Sequence, residues 1–99
     1  MTTPTTILVV EDETSIASFV AAYLRNAGYG VTTTATAQTA LIQLAADSPG
    51  LVILDLNLPD GDGVELCRRI RKTSDVPILM RTFKCVQCQV TVTEKVKYR

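Results

Sequence analysis

The chain has 99 residues, with 10 Lys/Arg against 10 Asp/Glu, a formal net charge of zero and 46% hydrophobic side chains. That length fits one domain burying roughly two thirds of its unfolded surface and leaves no room for a second module. The charge is uneven, six basic and nine acidic side chains in residues 1–82 against four basic and one acidic in 83–99, so an acidic body meets a basic tail. No apolar run reaches the roughly 18 residues of a membrane span, and the first six residues lack the order of a signal peptide. Three cysteines, an odd count without an export signal, argue against a disulfide framework; the expected address is cytoplasmic, with no membrane partner.

In chain order, residues 7–10 (ILVV) are a short β-branched apolar run, the mark of a strand buried on both faces, and the run stops at Glu11, Asp12 and Glu13. From residue 14 to 27, Ile16, Phe19, Val20, Tyr23, Leu24 and Ala27 recur at helical spacing and Gly28 supplies the stop. Residues 29–34 read as a second strand. Thr36 then caps a helix whose inner face is Ala37, Ala40, Leu41, Leu44 and Ala45, closed off by Ser48, Pro49 and Gly50. Residues 51–54 form a third buried strand ending in Asp55. The segment 58–63 (LPDGDG) is turn chemistry, with Asp60 and Asp62 as plain turn and N-cap residues, and leads into a helix through Val64, Leu66, Cys67 and Ile70. Residues 76–80 are a fourth buried strand. Strands separated by single helices, without a hairpin signal between them, imply parallel pairing through right-handed crossovers and a sheet covered on both faces.

In such a sheet the functional crevice lies at the carboxyl ends of the strands, where strand order reverses. Glu11 and Asp12 follow the first strand, Asp55 ends the third, and Thr82 lies just past the fourth. Taken singly, each acid is explained as a helix cap or turn residue; the combination carries the signal. Three carboxylates held close repel one another unless a divalent cation sits among them, and oxygen-only ligands suit Mg²⁺. A metal-bound carboxylate beside a hydroxyl is suited to accept a phosphoryl group, with Asp55 as nucleophile.

These residues stand in ILVVEDE, in LVILDLNLPDGDGVELCRRIR and in VPILM with Thr82 two places on, and the three stretches resemble the receiver domain of two-component response regulators over residues 7–82. The resemblance implies a flavodoxin-like, doubly wound parallel α/β sheet of strand order 2-1-3-4-5. It also implies phosphorylation of Asp55 by a sensor histidine kinase's phosphohistidine. Mg²⁺ would be held by Glu11, Asp12, Asp55 and the main-chain carbonyl of Asn57, with Thr82 as the switch hydroxyl. The chemistry would be autocatalytic acceptance and loss of a phosphoryl group, with no turnover of an external substrate.

Beyond Thr82 the sequence departs from that pattern. The family's fourth helix, fifth strand and last helix have no visible counterpart, so the expected fold is an incomplete receiver, residues 1–82, followed by an atypical strand-like tail, residues 83–99. The lysine that clamps the phosphoryl group in the family has no aligned equivalent; Lys84, Lys95 and Lys97 are the nearby candidates, each more simply a solvated charge. Cys85 and Cys88 make half of a zinc site, and with no His in the chain a four-ligand site needs two chains. Residues 89–98 alternate Val90, Val92, Val96 and Tyr98 with polar side chains, interrupted only by Glu94, a strand pattern about 33 Å long at ~3.3 Å per residue. That length predicts pairing with a second copy through tails or edge strands, a hairpin onto residues 81–83 of the same chain being the alternative. Two other functional readings compete with the phosphoacceptor: a truncated, signalling-dead interaction module, and a dimer bridged by metal at Cys85 and Cys88. No DNA-binding module follows and the tail is poor in aromatics, so direct DNA contact is not expected.

Overall fold

The computed structural model describes residues 5–55, 57–83 and 90–92, with the side chains of Asn57, Asp62 and residues 81–83 and 90–92 left aside. The elements are β1 (Thr6–Val10), α1 (Thr14–Asn26), β2 (Gly30–Thr34), α2 (Ala37–Asp47), β3 (Leu51–Asp55), β4 (Asn57–Leu58), β5 (Gly61–Asp62), α3 (Gly63–Arg71), β6 (Ile78–Phe83) and β7 (Val90–Val92). The main sheet has the order β2-β1-β3-β6-β7. Its first four strands are parallel, with Val10 opposite both Thr34 and Leu54, and Asp55 opposite Arg81. This is the doubly wound parallel arrangement the strand and helix order implies, and order reverses between β1 and β3.

The runs 7–10 and 51–54 of the two central strands are apolar because both faces of those strands are covered. Strand periodicity sends Leu8, Val10, Val52 and Leu54 to one face, where they pack with Ala37 and Ala40 of α2 and Leu66 and Ile70 of α3. Ile7, Val9 and Ile53 go to the other, against Val20 and Leu24 of α1. On α1 the apolar stripe divides. Ala17 and Ala21 are the buried positions, while Phe19 and Tyr23 stand 73% and 69% exposed. Val20 and Leu24 of the same stripe pack on the sheet, so the helix seats on a narrower face than its apolar spacing marks. The helix stops as its sequence indicates: Gly28 takes φ +101°, a conformation that side chains with a Cβ rarely adopt, and donates to the Arg25 carbonyl.

One strand boundary is corrected. The fourth strand begins at Ile78 rather than Val76, although Val76 is buried; Pro77 has no N–H to donate, and only its carbonyl joins the sheet, accepting from Val52 N at 3.0 Å. The turn expected within 58–63 is present at Pro59 and Asp60 and closes a miniature antiparallel hairpin, Asn57 opposite Asp62 and Leu58 opposite Gly61. Beyond Met80 the outer edge of β6 is covered by β7, antiparallel, with Arg81, Thr82 and Phe83 opposite Val92, Thr91 and Val90. That is the same-chain hairpin. A short connection suffices to join antiparallel neighbours, whereas a parallel fifth strand needs a crossover.

Among the described residues no helix is long and apolar enough to cross a membrane. Cys67 is half-buried and packs against the larger core cluster, as its helical position indicates. Lys84, Lys95, Lys97, Cys85 and Cys88 lie outside the described residues.

Candidate functional site

The acids meet at the point where strand order reverses. The Glu11 amide donates to the Thr34 carbonyl at 2.9 Å, which extends the β1–β2 pairing by one residue and holds Glu11 at the sheet's carboxyl edge. Asp55 closes β3 on the other side of β1. Glu11 and Asp55 are only 3% and 5% exposed, and Asp12 is exposed. One carboxylate oxygen from each of the three lies within 4.8 Å of the others. The Glu11 carboxylate also accepts from the Glu13 amide at 3.1 Å, which restrains its orientation.

This donor set fits Mg²⁺. With bonds of about 2.1 Å, oxygens around an octahedral Mg²⁺ stand about 3 Å apart when adjacent and about 4.2 Å when opposite, so the three oxygens need to draw together by no more than about 2 Å. Two buried carboxylates and a third within reach create a repulsion that a hard divalent cation relieves. The remaining two predicted site residues are placed by backbone. Asn57 opens β4 two residues beyond Asp55, and Thr82 lies on β6 one residue beyond Arg81, the strand partner of Asp55. Glu11, Asp12, Asp55 and Thr82 therefore stand at one end of the main sheet, and Asn57 follows in the short hairpin beside it. A groove of about 250 Å³ adjoins the cluster, lined by Glu11 and Asp12 together with Ser18 and Arg25 of α1 and Thr33 and Thr34 of β2.

Asp60 has a role that sequence reasoning missed. Its Oδ1 accepts from the Ala37 amide at 2.8 Å and its Oδ2 from the Gln38 amide at 3.2 Å. It therefore caps α2, a helix 23 residues upstream, rather than the helix that follows it. Thr36 caps the same helix as its sequence indicates, its Oγ1 accepting from Thr39 N at 3.1 Å. No local pattern announces a cap that comes from another segment. The Ala37 hydrogen bond, first among the causes, holds the Asp60 carboxyl below its ordinary 3.8. Because the folded value is the lower one, the contribution of this cap to stability is complete above the unfolded value and is lost as pH falls through the folded one. The amide resonances of Ala37 and Gln38 are accordingly expected to titrate together with a midpoint below 3.8; a midpoint at or above it would contradict the cap.

The fold and the site are shared with a known class of proteins. Residues 7–95 match the family model described as response regulator receiver domain, a longer span than the 7–82 over which the motifs carry the resemblance. The KDP operon transcriptional regulatory protein KdpE of Escherichia coli strain K12 is 43% identical over 76 residues, covering 77% of this chain and 34% of that protein. The transcriptional regulatory protein BaeR of Escherichia coli O6:H1 is 44% identical over 78 residues, 79% of this chain and 32% of that protein. Among solved structures, the chemotaxis response regulator CheY4 of Vibrio cholerae superposes with a TM-score of 0.79 at 34% identity, covering 84% of this chain and 72% of that one. The BeF3-activated N-terminal receiver domain of Klebsiella pneumoniae RstA gives 0.77 at 34% identity, with 80% and 68% covered. The chain belongs to the response regulator receiver domain family. It spans about a third of the length of the curated relatives it matches.

Proposed function

We propose that this chain is a phosphoacceptor module of a two-component system, modified on Asp55 by a sensor histidine kinase in a Mg²⁺-dependent reaction. The observation that carries the reading is the convergence of Glu11, Asp12 and Asp55 oxygens within 4.8 Å at the carboxyl edge of the sheet. Glu11, Asp12, Asp55 and the Asn57 carbonyl hold the cation. When bound, the cation neutralises charge on the transferring phosphoryl oxygens. An Asp55 oxygen attacks phosphorus, the P–O bond of an acyl phosphate forms, the P–N bond of the donor phosphohistidine breaks, and the imidazole leaves with its electron pair. The Thr82 hydroxyl then hydrogen-bonds the phosphoryl group, and the module works in the cytoplasm. Incubation with acetyl phosphate and Mg²⁺, followed by intact mass, tests the reading: one added phosphoryl group is expected, and none without Mg²⁺.

Self-association is a separate proposal, supported by the pairing of β6. β7 covers β6 only at residues 81–83, and among the described residues the outer edge of residues 78–80 has no strand partner. A free edge of that kind accepts the tail strand of another copy. Sedimentation over a concentration series is expected to show a dimer that disappears on deletion of residues 84–99. A strict monomer at high micromolar concentration, or an unchanged mass after the deletion, would exclude it.

A further inference from the structure

We infer that Asp60 is a positioning residue for the metal site, acting as a tether between the β4–β5 hairpin and the N-terminus of α2. The inference rests on the reading of Glu11, Asp12, Asp55 and the Asn57 carbonyl as the Mg²⁺ ligands. Asn57 opens the hairpin, Asp60 sits in the turn between its two strands, and Asp55 lies two residues before it. A two-residue strand pair is too small to hold a backbone carbonyl in place by its own hydrogen bonds. Two anchors outside the hairpin do so instead. Leu58 is buried in the larger core cluster, and the Asp60 carboxylate takes two amide hydrogen bonds from α2.

The second anchor is well matched to its seat. The first amides of a helix lack intrahelical acceptors and lie at the positive end of the macrodipole, so a carboxylate accepting two of them is held in both distance and direction. At α2 the division of labour is complete: Ala37 and Gln38 donate to Asp60, Thr39 donates to the Thr36 side chain, and Ala40 donates to the Thr36 carbonyl. Thr36 and Asp60 thus cap the same helix, but only Asp60 connects it to the hairpin that carries Asn57. That difference separates positioning from plain helix stability.

The experiment compares the wild type with Asp60→Ala, Asp60→Asn and Thr36→Ala in a Mg²⁺ titration by calorimetry and in amide hydrogen exchange of residues 57–62. Asp60→Ala is expected to raise the Mg²⁺ dissociation constant about tenfold, the low end for partners that orient a ligand without touching the metal. It is also expected to speed exchange throughout the hairpin. Asp60→Asn keeps one acceptor oxygen and should fall between, which also serves should the alanine variant fail to fold. Thr36→Ala should lower stability to urea and leave both readouts at wild-type values. The inference is overturned if Asp60→Ala and Asp60→Asn leave affinity and exchange unchanged, or if Thr36→Ala shifts them equally. Should the wild type bind no Mg²⁺, the functional reading itself fails, and hairpin exchange alone decides whether Asp60 is the tether.

Discussion

Asp55→Asn is expected to abolish covalent phosphorylation by acetyl phosphate, leaving an intact mass with no added phosphoryl group. The substitution keeps the size and planarity of the side chain at the end of β3 and replaces the nucleophilic oxygen pair by an amide. The buried site, 5% exposed in the wild type, is preserved, so the loss reports chemistry rather than folding. Unmodified far-ultraviolet circular dichroism would accompany it. Asp12→Ala should act differently: it removes an exposed member of the cluster, weakens Mg²⁺ binding about tenfold or more, and slows labelling without moving its position. A phosphoryl group still present on Asp55→Asn would place the acceptor elsewhere in the chain.

The largest expected effect on stability is at Leu54. This side chain is 0% exposed, on a central strand flanked by β1 and β6, and it packs in the cluster that α2 and α3 cover. Leu54→Ala removes buried methyl groups and leaves a cavity that a doubly covered strand has little freedom to close, at a cost of about 3 to 5 kcal/mol. A domain of this size has about 5 to 10 kcal/mol in all, so the urea midpoint should fall by about half or the variant be partly unfolded. Phe19→Ala is the contrasting case. Although Phe19 is the larger side chain, it is 73% exposed on α1, and its removal should change stability by no more than about 0.5 kcal/mol. A loss at Phe19 comparable to that at Leu54 would mean that α1 seats its aromatic side, not Ala17 and Ala21, on the sheet.

Much of this protein is written in neighbouring residues. Runs such as ILVV and LVIL contain no polar position, and an uninterrupted apolar strand is stable only with cover on both faces, so the parallel sheet follows from the strings themselves. The placement of Glu11, Asp12 and Asp55 directly after those runs puts acids at the carboxyl edge for the same reason. Thr36 and Gly28 mark helix ends because a cap and a positive-φ stop act within one turn of chain. Tertiary structure alone decided the rest. Helical spacing on α1 marks a stripe wider than the contact, and only the packed fold buries Ala17 and Ala21 while leaving Phe19 and Tyr23 exposed. Whether the tail's alternating pattern pairs with its own chain depends on where β6 ends in space, and β7 meets it at residues 81–83. Asp60 finds its partners 23 and 22 residues upstream, because the hairpin after β3 and the start of α2 emerge from the same edge of the sheet. Periodicity and caps act through chain neighbours and can be read from order; a hydrogen bond between segments exists only once the sheet has brought them together.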